Sequence, residues 1–138
     1  MPLNLHDCHA GDLVAEKVFG PITRDMLIAY AEASGDSNPL HTDPEVAKKS
    51  GFDDVIIHGM LGMALLGNLL SETVTPSTIK RFSSRFVSIM PVDSRIVCRA
   101  VLSERKGSVV KLELEAALEG QSKTVITGSA DIDCSQAV

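Results

Sequence analysis

His58-Gly59-Met60-Leu61-Gly62-Met63-Ala64-Leu65-Leu66-Gly67-Asn68-Leu69-Leu70-Ser71 is apolar on every side, so a helix over 58–71 is expected to be buried all round. At 1.5 Å per residue it spans about 20 Å, too short for a membrane and suited to a core. Gly59, Gly62 and Gly67 each cost up to ~1 kcal/mol of helix propensity, which implies close approach of a sheet or a ligand. Met60 and Met63 are read as core filler. Beyond Thr73 the hydrophobic period changes from 3.6 to 2, with candidate strands at 79–89, 95–105, 108–118 and 123–133 separated by turn signals. In the third, Val110, Leu112, Leu114, Ala116 and Leu118 alternate with Lys111, Glu113 and Glu115, one dry face and one wet, as in an antiparallel meander. Upstream, 13–19 reads as a first strand ended by Gly20-Pro21. The expectation is an α+β fold, a sheet of five or more strands around the apolar helix.

The 138 residues are enough for one domain, with roughly two-thirds of the unfolded surface buried. A net charge of −5 and a pI near 5.3 argue against nucleic-acid binding, as does the small aromatic set of Phe19, Tyr30, Phe52, Phe82 and Phe86. Cys8, Cys98 and Cys134 form no C-x-x-C pair and are odd in number, so we read them as buried or bystander thiols in a reducing compartment. With no basic-then-apolar leader and no apolar run of 18 residues, a cytoplasmic location and no membrane partner are expected. His6-Asp7-Cys8-His9 lacks a second ligand pair and is read as a surface end rather than a metal site.

The chemistry is placed in Ser34-Gly35-Asp36-Ser37-Asn38-Pro39-Leu40-His41-Thr42-Asp43. A helix over 24–34, capped by Thr23 and burying a face of Met26, Leu27, Tyr30, Ala31 and Ala33, stops at Gly35 and presents Asp36. Pro39 bars helical continuation, and the Gly, Asp, Ser and Asn residues favour side-chain-to-backbone turns, so Asp36 and His41 share a tight loop. A carboxylate and an imidazole aimed at one point can hold a water and move its proton. A plain connector, with His41 exposed, has the same composition. Asp43-Pro44 then opens a short flanking helix that stops at Gly51, with Glu45, Lys48 and Lys49 on its wet side. At the start of the apolar helix the first amides lack intrahelical partners and the dipole favours negative charge, so the Gly59 N–H can stabilise an oxyanion. His58 is open to two readings, touching substrate or capping and packing at the helix start, and the structural role is favoured because a positive helix end disfavours imidazolium.

Tyr30, Ser34-Gly35-Asp36-x-Asn38-Pro39-Leu40-His41 and Ile57-His58-Gly59-Met60 together resemble the hydratase motif of the MaoC-like family, which includes (R)-specific enoyl-CoA hydratases of hot-dog fold. The resemblance, loose over most of the chain, implies one MaoC-like hot-dog domain over 1–138, its antiparallel sheet wrapped around the helix at about 58–71. It makes Asp36 and His41 the catalytic pair, Gly59 the oxyanion donor, and the activity reversible hydration of a trans-2-enoyl thioester to an (R)-3-hydroxyacyl thioester. Leu66-Gly67-Asn68 stands where some relatives have a serine, and Asp93-Ser94 replaces the commoner Gly-Asp turn. An acyl-binding or partner-stabilising subunit and a hot-dog thioesterase are the alternatives; the intact Asp-x-Asn-Pro-x-His loop speaks against both.

The partner implied is an acyl-CoA or acyl-carrier-protein thioester, with no dissociable cofactor and no metal. Lys80, Arg81, Arg85, Arg95 and Arg99 concentrate positive charge on what the sequence order suggests are neighbouring strands, either a solubilising face or a landing site for phosphates. A small sheet with open edges is expected to pair into a homodimer or a dimer of dimers.

Overall fold

Local capping chemistry defines the helices. Thr23 Oγ1 accepts from the Met26 N–H at 3.4 Å and opens α1 (Arg24–Ser34), which ends at Gly35 with φ 75°, a left-handed value that suits glycine. Asp43 Oδ1 accepts from the Glu45 N–H at 3.0 Å and opens α2 (Pro44–Lys49), with Pro44 at a position where its missing N–H costs nothing. In the computed structural model, which describes residues 4–135, α3 (Gly59–Thr73) follows a buried segment through Val55, Ile56 and Ile57. The strands are β1 (Leu13–Phe19), β2 (Ile79–Phe86), β3 (Ile96–Lys106), β4 (Val109–Leu118) and β5 (Lys123–Asp133). No helix among the described residues is long and apolar enough to cross a membrane.

The five strands form one antiparallel sheet in the order β1-β3-β4-β5-β2. β3, β4 and β5 are the expected meander, but β2 crosses to the far edge and pairs with β5, from Ile79 opposite Ile132 to Phe86 opposite Ile126. The dry face of β4 is as expected: Val110, Leu112, Leu114, Ala116 and Leu118 are all buried. A register shift between Ala116 and Ala117 buries Ala117 as well.

α3 lies across the whole sheet. It packs on β1, β3 and β4, while Gly62 faces Ile126 of β5 and Gly67 faces Phe82 of β2. Gly62 is there for close approach, since a Cβ would come within 2.5 Å of Ile126 Cδ1 and 2.9 Å of Met90 Cε. Gly67 is less constrained, its hypothetical Cβ meeting Phe82 at an ordinary 3.5 Å.

Two expectations of burial fail in the single chain. α3 buries Gly62, Leu65, Leu66, Leu69, Leu70 and Thr73, but the stripe Met60, Ala64 and Asn68 is exposed, so Met60 at 56% is not core filler. The sheet covers one side of the helix, and among the described residues nothing covers the Met60, Ala64 and Asn68 stripe on the other. α1 likewise buries only Leu27, leaving Met26 and Ile28 each 42% exposed and Ala33 exposed.

The basic residues also separate. Lys80, Arg81 and Arg85 lie on the β2 edge, whereas Arg99 lies on β3 with Arg95 just before it, with β4 and β5 in between. Arg95 is held by Glu119 at 3.1 Å, and Arg99 by Glu16 and Glu115, so these two belong to cross-strand ion pairs rather than to one patch. His6 and His9 are both exposed beside a single turn, Leu5–Asp7. Cys98 is buried, its thiol pushed up to about 12 by desolvation, and Cys8 and Cys134 are free and partly buried.

Candidate active site

The Asp36–His41 loop is a relay of short-range hydrogen bonds. The Asp36 N–H donates to the Ala31 carbonyl at 3.1 Å, closing α1, and Asp36 Oδ1 accepts from the Asn38 N–H at 2.9 Å. Asn38 Oδ1 in turn accepts from the Leu40 N–H at 3.0 Å. Pro39 bars helical continuation as expected, with Asn38 before it extended at φ −63° and ψ 115°, but the loop is not wholly non-helical: Pro39 starts a single 3-10 turn, Pro39–His41, with its fixed φ suited to the first position. That turn is what brings the His41 side chain back toward Asp36.

A second anchor crosses to another segment. The Ile56 N–H donates to the Leu40 carbonyl at 3.1 Å, and the Ile56 carbonyl lies 2.7 Å from His41 Nδ1. A carbonyl can only accept, so Nδ1 carries the proton and Nε2 presents a free lone pair. Ile56 is held in turn, because the flanking Ile57 N–H donates to Met90 O at 2.8 Å and Val92 N–H to Val55 O at 3.3 Å. The His41 ring is thereby fixed in tautomer and direction by groups outside its own loop.

His58 completes the cluster, packed at the helix start as expected but not capping it. As the residue before α3 it accepts at its backbone carbonyl from the Leu61 and Gly62 N–H groups, but its side chain makes no capping bond. Instead the imidazole is 1% exposed, stacked on His41 with ring centroids 3.9 Å apart and planes at 22°. Tyr30 meets its edge at 4.7 Å, and His58 Nε2 is 4.0 Å from Asp36 Oδ2. Neither ring nitrogen of His58 has a hydrogen-bond partner among the described residues. Desolvation first, then the neighbouring His41, lowers its pKa from the usual histidine value against an opposing pull from Asp36, so the ring is kept neutral. The signals available in sequence were a histidine immediately before an apolar helix and its place in the Ile57-His58-Gly59-Met60 stretch, neither of which says that it faces the loop.

A carboxylate oxygen of Asp36 and one ring nitrogen each of His41 and His58 lie within 4.8 Å of one another. That donor set is one that metals use, but nearly parallel stacked rings direct their in-plane lone pairs side by side, not at one ion. Hydrogen bonds tolerate such offset far better. The arrangement therefore suits a small polar molecule shared between the groups. Beside it, Asp36, Ile28, Ala31, Gly35 and Thr42 line a shallow groove of about 470 Å³.

Gly59 opens α3, and at that first position its N–H has no intrahelical acceptor. A Cβ at Gly59 would come within 2.8 Å of the Phe86 ring, so the space kept free faces Phe86.

Residues 11–123 match the MaoC like domain family. The mitochondrial 3-hydroxyacyl-[acyl-carrier-protein] dehydratase of Arabidopsis thaliana is 33% identical over 125 residues, covering 87% of this chain and 74% of that protein. The peroxisomal enoyl-CoA hydratase 2 of the same plant is 30% identical over 103 residues, covering 72% of this chain but only 31% of that protein. Among solved structures, R-hydratase PhaJ1 from Pseudomonas aeruginosa superimposes with a TM-score of 0.83 at 23% identity, over 96% of this chain and 85% of that one. The (R)-hydratase from A. caviae gives a TM-score of 0.81 at 23% identity, over 92% and 97%. At that identity these two likenesses are of fold, the hot-dog arrangement of sheet and central helix. By the match over residues 11–123 and the identity to the dehydratase, the chain belongs to the MaoC-like domain family of hydratases and dehydratases.

Proposed function

We propose that the chain is a hydro-lyase that adds water syn to a trans-2-enoyl thioester to give an (R)-3-hydroxyacyl thioester, or runs the reverse dehydration, with Asp36 and His41 as the catalytic pair. The observation that carries this is the convergence of the Asp36 carboxylate and the His41 ring, with Nδ1–H committed to Ile56 O so that Nε2 is a proton acceptor. In hydration the water oxygen bonds to C3 and the π pair moves through C2 onto the thioester oxygen. One water proton passes to the pair and is returned to C2; the other remains on the new hydroxyl. Dehydration retraces these steps. The Gly59 N–H, at the positive end of α3, is the donor we assign to the developing enolate oxygen. The groove beside Asp36 would admit the acyl thioester, and Lys80, Arg81 and Arg85, which make no ion pair among the described residues, are the remaining basic group for coenzyme A or carrier-protein phosphates.

We infer further that the active form is a homodimer or a dimer of dimers. β1 and β2 are open edges, and the exposed Met60, Phe86, Val87 and Ile89 lie around the start of α3 and the end of β2. A second subunit would cover apolar surface next to the site.

Three outcomes are expected. With loss of enoyl absorbance as the assay, Asp36→Asn and His41→Ala should each lower kcat by about 10²–10⁴ with the circular-dichroism spectrum intact, and the double variant should lose little more than the worse single; losses that multiply would mean the two do not share one water. Gly59→Pro removes the N–H at a position that tolerates proline, and His58, at φ −59° and ψ 131°, already has the backbone that a following proline demands. It should cost about 10²–10³ in kcat, whereas Gly59→Ala, with the same Cβ against Phe86, should cost much less. Equal losses would make the glycine a matter of space beside Phe86. Sedimentation at micromolar concentration should show dimers or larger, and a stable, active monomer would overturn the assembly.

A further inference from the structure

Burying a polar ring with both nitrogens unpaired is costly, and native proteins tolerate it where the group has work to do. His58 is such a ring, 1% exposed and without a partner at either nitrogen among the described residues. Its position is not that of a bystander, because its Nε2 is 4.0 Å from Asp36 Oδ2 and its face lies on His41. A 4.0 Å gap is too long for a direct hydrogen bond and short enough for a single atom to bond both groups from the side of the line between them.

The three-group geometry narrows what that atom is. Three points mutually within 4.8 Å all lie within about 2.8 Å of one common point, which is hydrogen-bond distance. A water there would spend one hydrogen on the Asp36 carboxylate and the other on His41 Nε2, since both are acceptors. Its third partner must therefore be a donor. His58 supplies one if its Nε2 carries the proton, and the only other hydrogen-bonding atom of the ring, Nδ1, is also buried without a partner.

We propose that His58 is a third catalytic residue, its Nε2–H donating to the oxygen of the water held between Asp36 and His41. This rests on the hydro-lyase reading above and deepens it. A water oxygen has two lone pairs; the bond from His58 occupies one, leaving a single lone pair to attack C3 of the enoyl group. In the dehydration direction the same N–H receives the departing hydroxyl oxygen as its bond to C3 breaks and the proton from the pair joins it. No charge is placed on His58 at any stage, which suits a desolvated imidazole stacked beneath the ring that does take the proton. Tyr30, edge-on at 4.7 Å, and His41 hold the ring from two sides so that its donor has one direction.

The test separates the nitrogen from the ring. His58→Phe keeps a flat ring under His41 and removes the donor, while His58→Gln removes the ring and keeps an N–H at similar reach. We expect His58→Phe to lower kcat by about 10² with KM little changed and the melting temperature unchanged or raised, because an unpaired buried polar group is gone. His58→Gln should recover at least a tenth of wild-type kcat despite a lower melting temperature. The opposite pattern, an active Phe variant and an inactive Gln variant, would make His58 packing for His41 and overturn the proposal. Should the Phe variant not fold, His58→Leu replaces it, with the same loss expected and wild-type kcat again contradicting the donor role. If Asp36→Asn and His41→Ala are inactive while His58→Phe is unimpaired, this inference alone fails; if those two are active, the hydro-lyase reading fails with it.

Discussion

Two hydrogen bonds to Ile56 hold the site together. Its N–H meets the Leu40 carbonyl at 3.1 Å and its carbonyl meets His41 Nδ1 at 2.7 Å, so one residue ties down both the backbone and the side chain of the Pro39–His41 turn. Ile56 itself is 8% exposed and flanked by the bonds that bind residues 55–57 to residues 90–92. Without that tie, Asp36 would keep its place through α1 and Gly35, but His41 would be free to turn and to change tautomer. The tie also puts His58 two residues beyond Ile56, which is how a loop and the start of a core helix come to share a cluster. A part-buried bond of this sort is worth only about 1 kcal/mol in stability, yet misplacing a reacting group by an ångström can cost far more in rate.

What was legible in the sequence is what local chemistry decides. Thr23, Gly35 and Asp43 mark helix ends because each satisfies or relieves a nearby backbone group, and β1 and β5 have the bounds that alternation and flanking turn residues imply. The Asp36 and Asn38 turns follow from side chains that bond two residues onward. Pro39 was legible only in part: its ring keeps Asn38 extended and the helix from continuing, as expected, but it also favours the first position of the 3-10 turn that follows.

Non-local facts were not legible. That β2 lies beside β5 rather than β3 is a crossover, and no local signal in residues 79–86 encodes it. The basic patch dissolved on the same account, because Arg95 and Arg99 found acidic partners across strands that adjacency in sequence does not reveal. His58 was read from its place at a positive helix end, whereas its environment is set by His41, Tyr30 and Asp36, which are 17 to 28 positions away or arrive through the fold. The exposed stripe of α3 is the counterpart for packing: an all-apolar helix announces that it must be covered, without saying whether its own chain does the covering.

The central claim is that one water, held at one place between Asp36 and His41, supplies both the hydroxyl and the proton exchanged with the thioester. Hydration of a trans-2-enoyl thioester in deuterium oxide, followed by nuclear magnetic resonance of the product, reads this directly. Addition from a single site puts the deuterium at C2 and the hydroxyl at C3 on the same face, with the (R) configuration at C3. Anti addition, a mixture of diastereomers at C2 before any exchange, or no hydration at all would contradict the account.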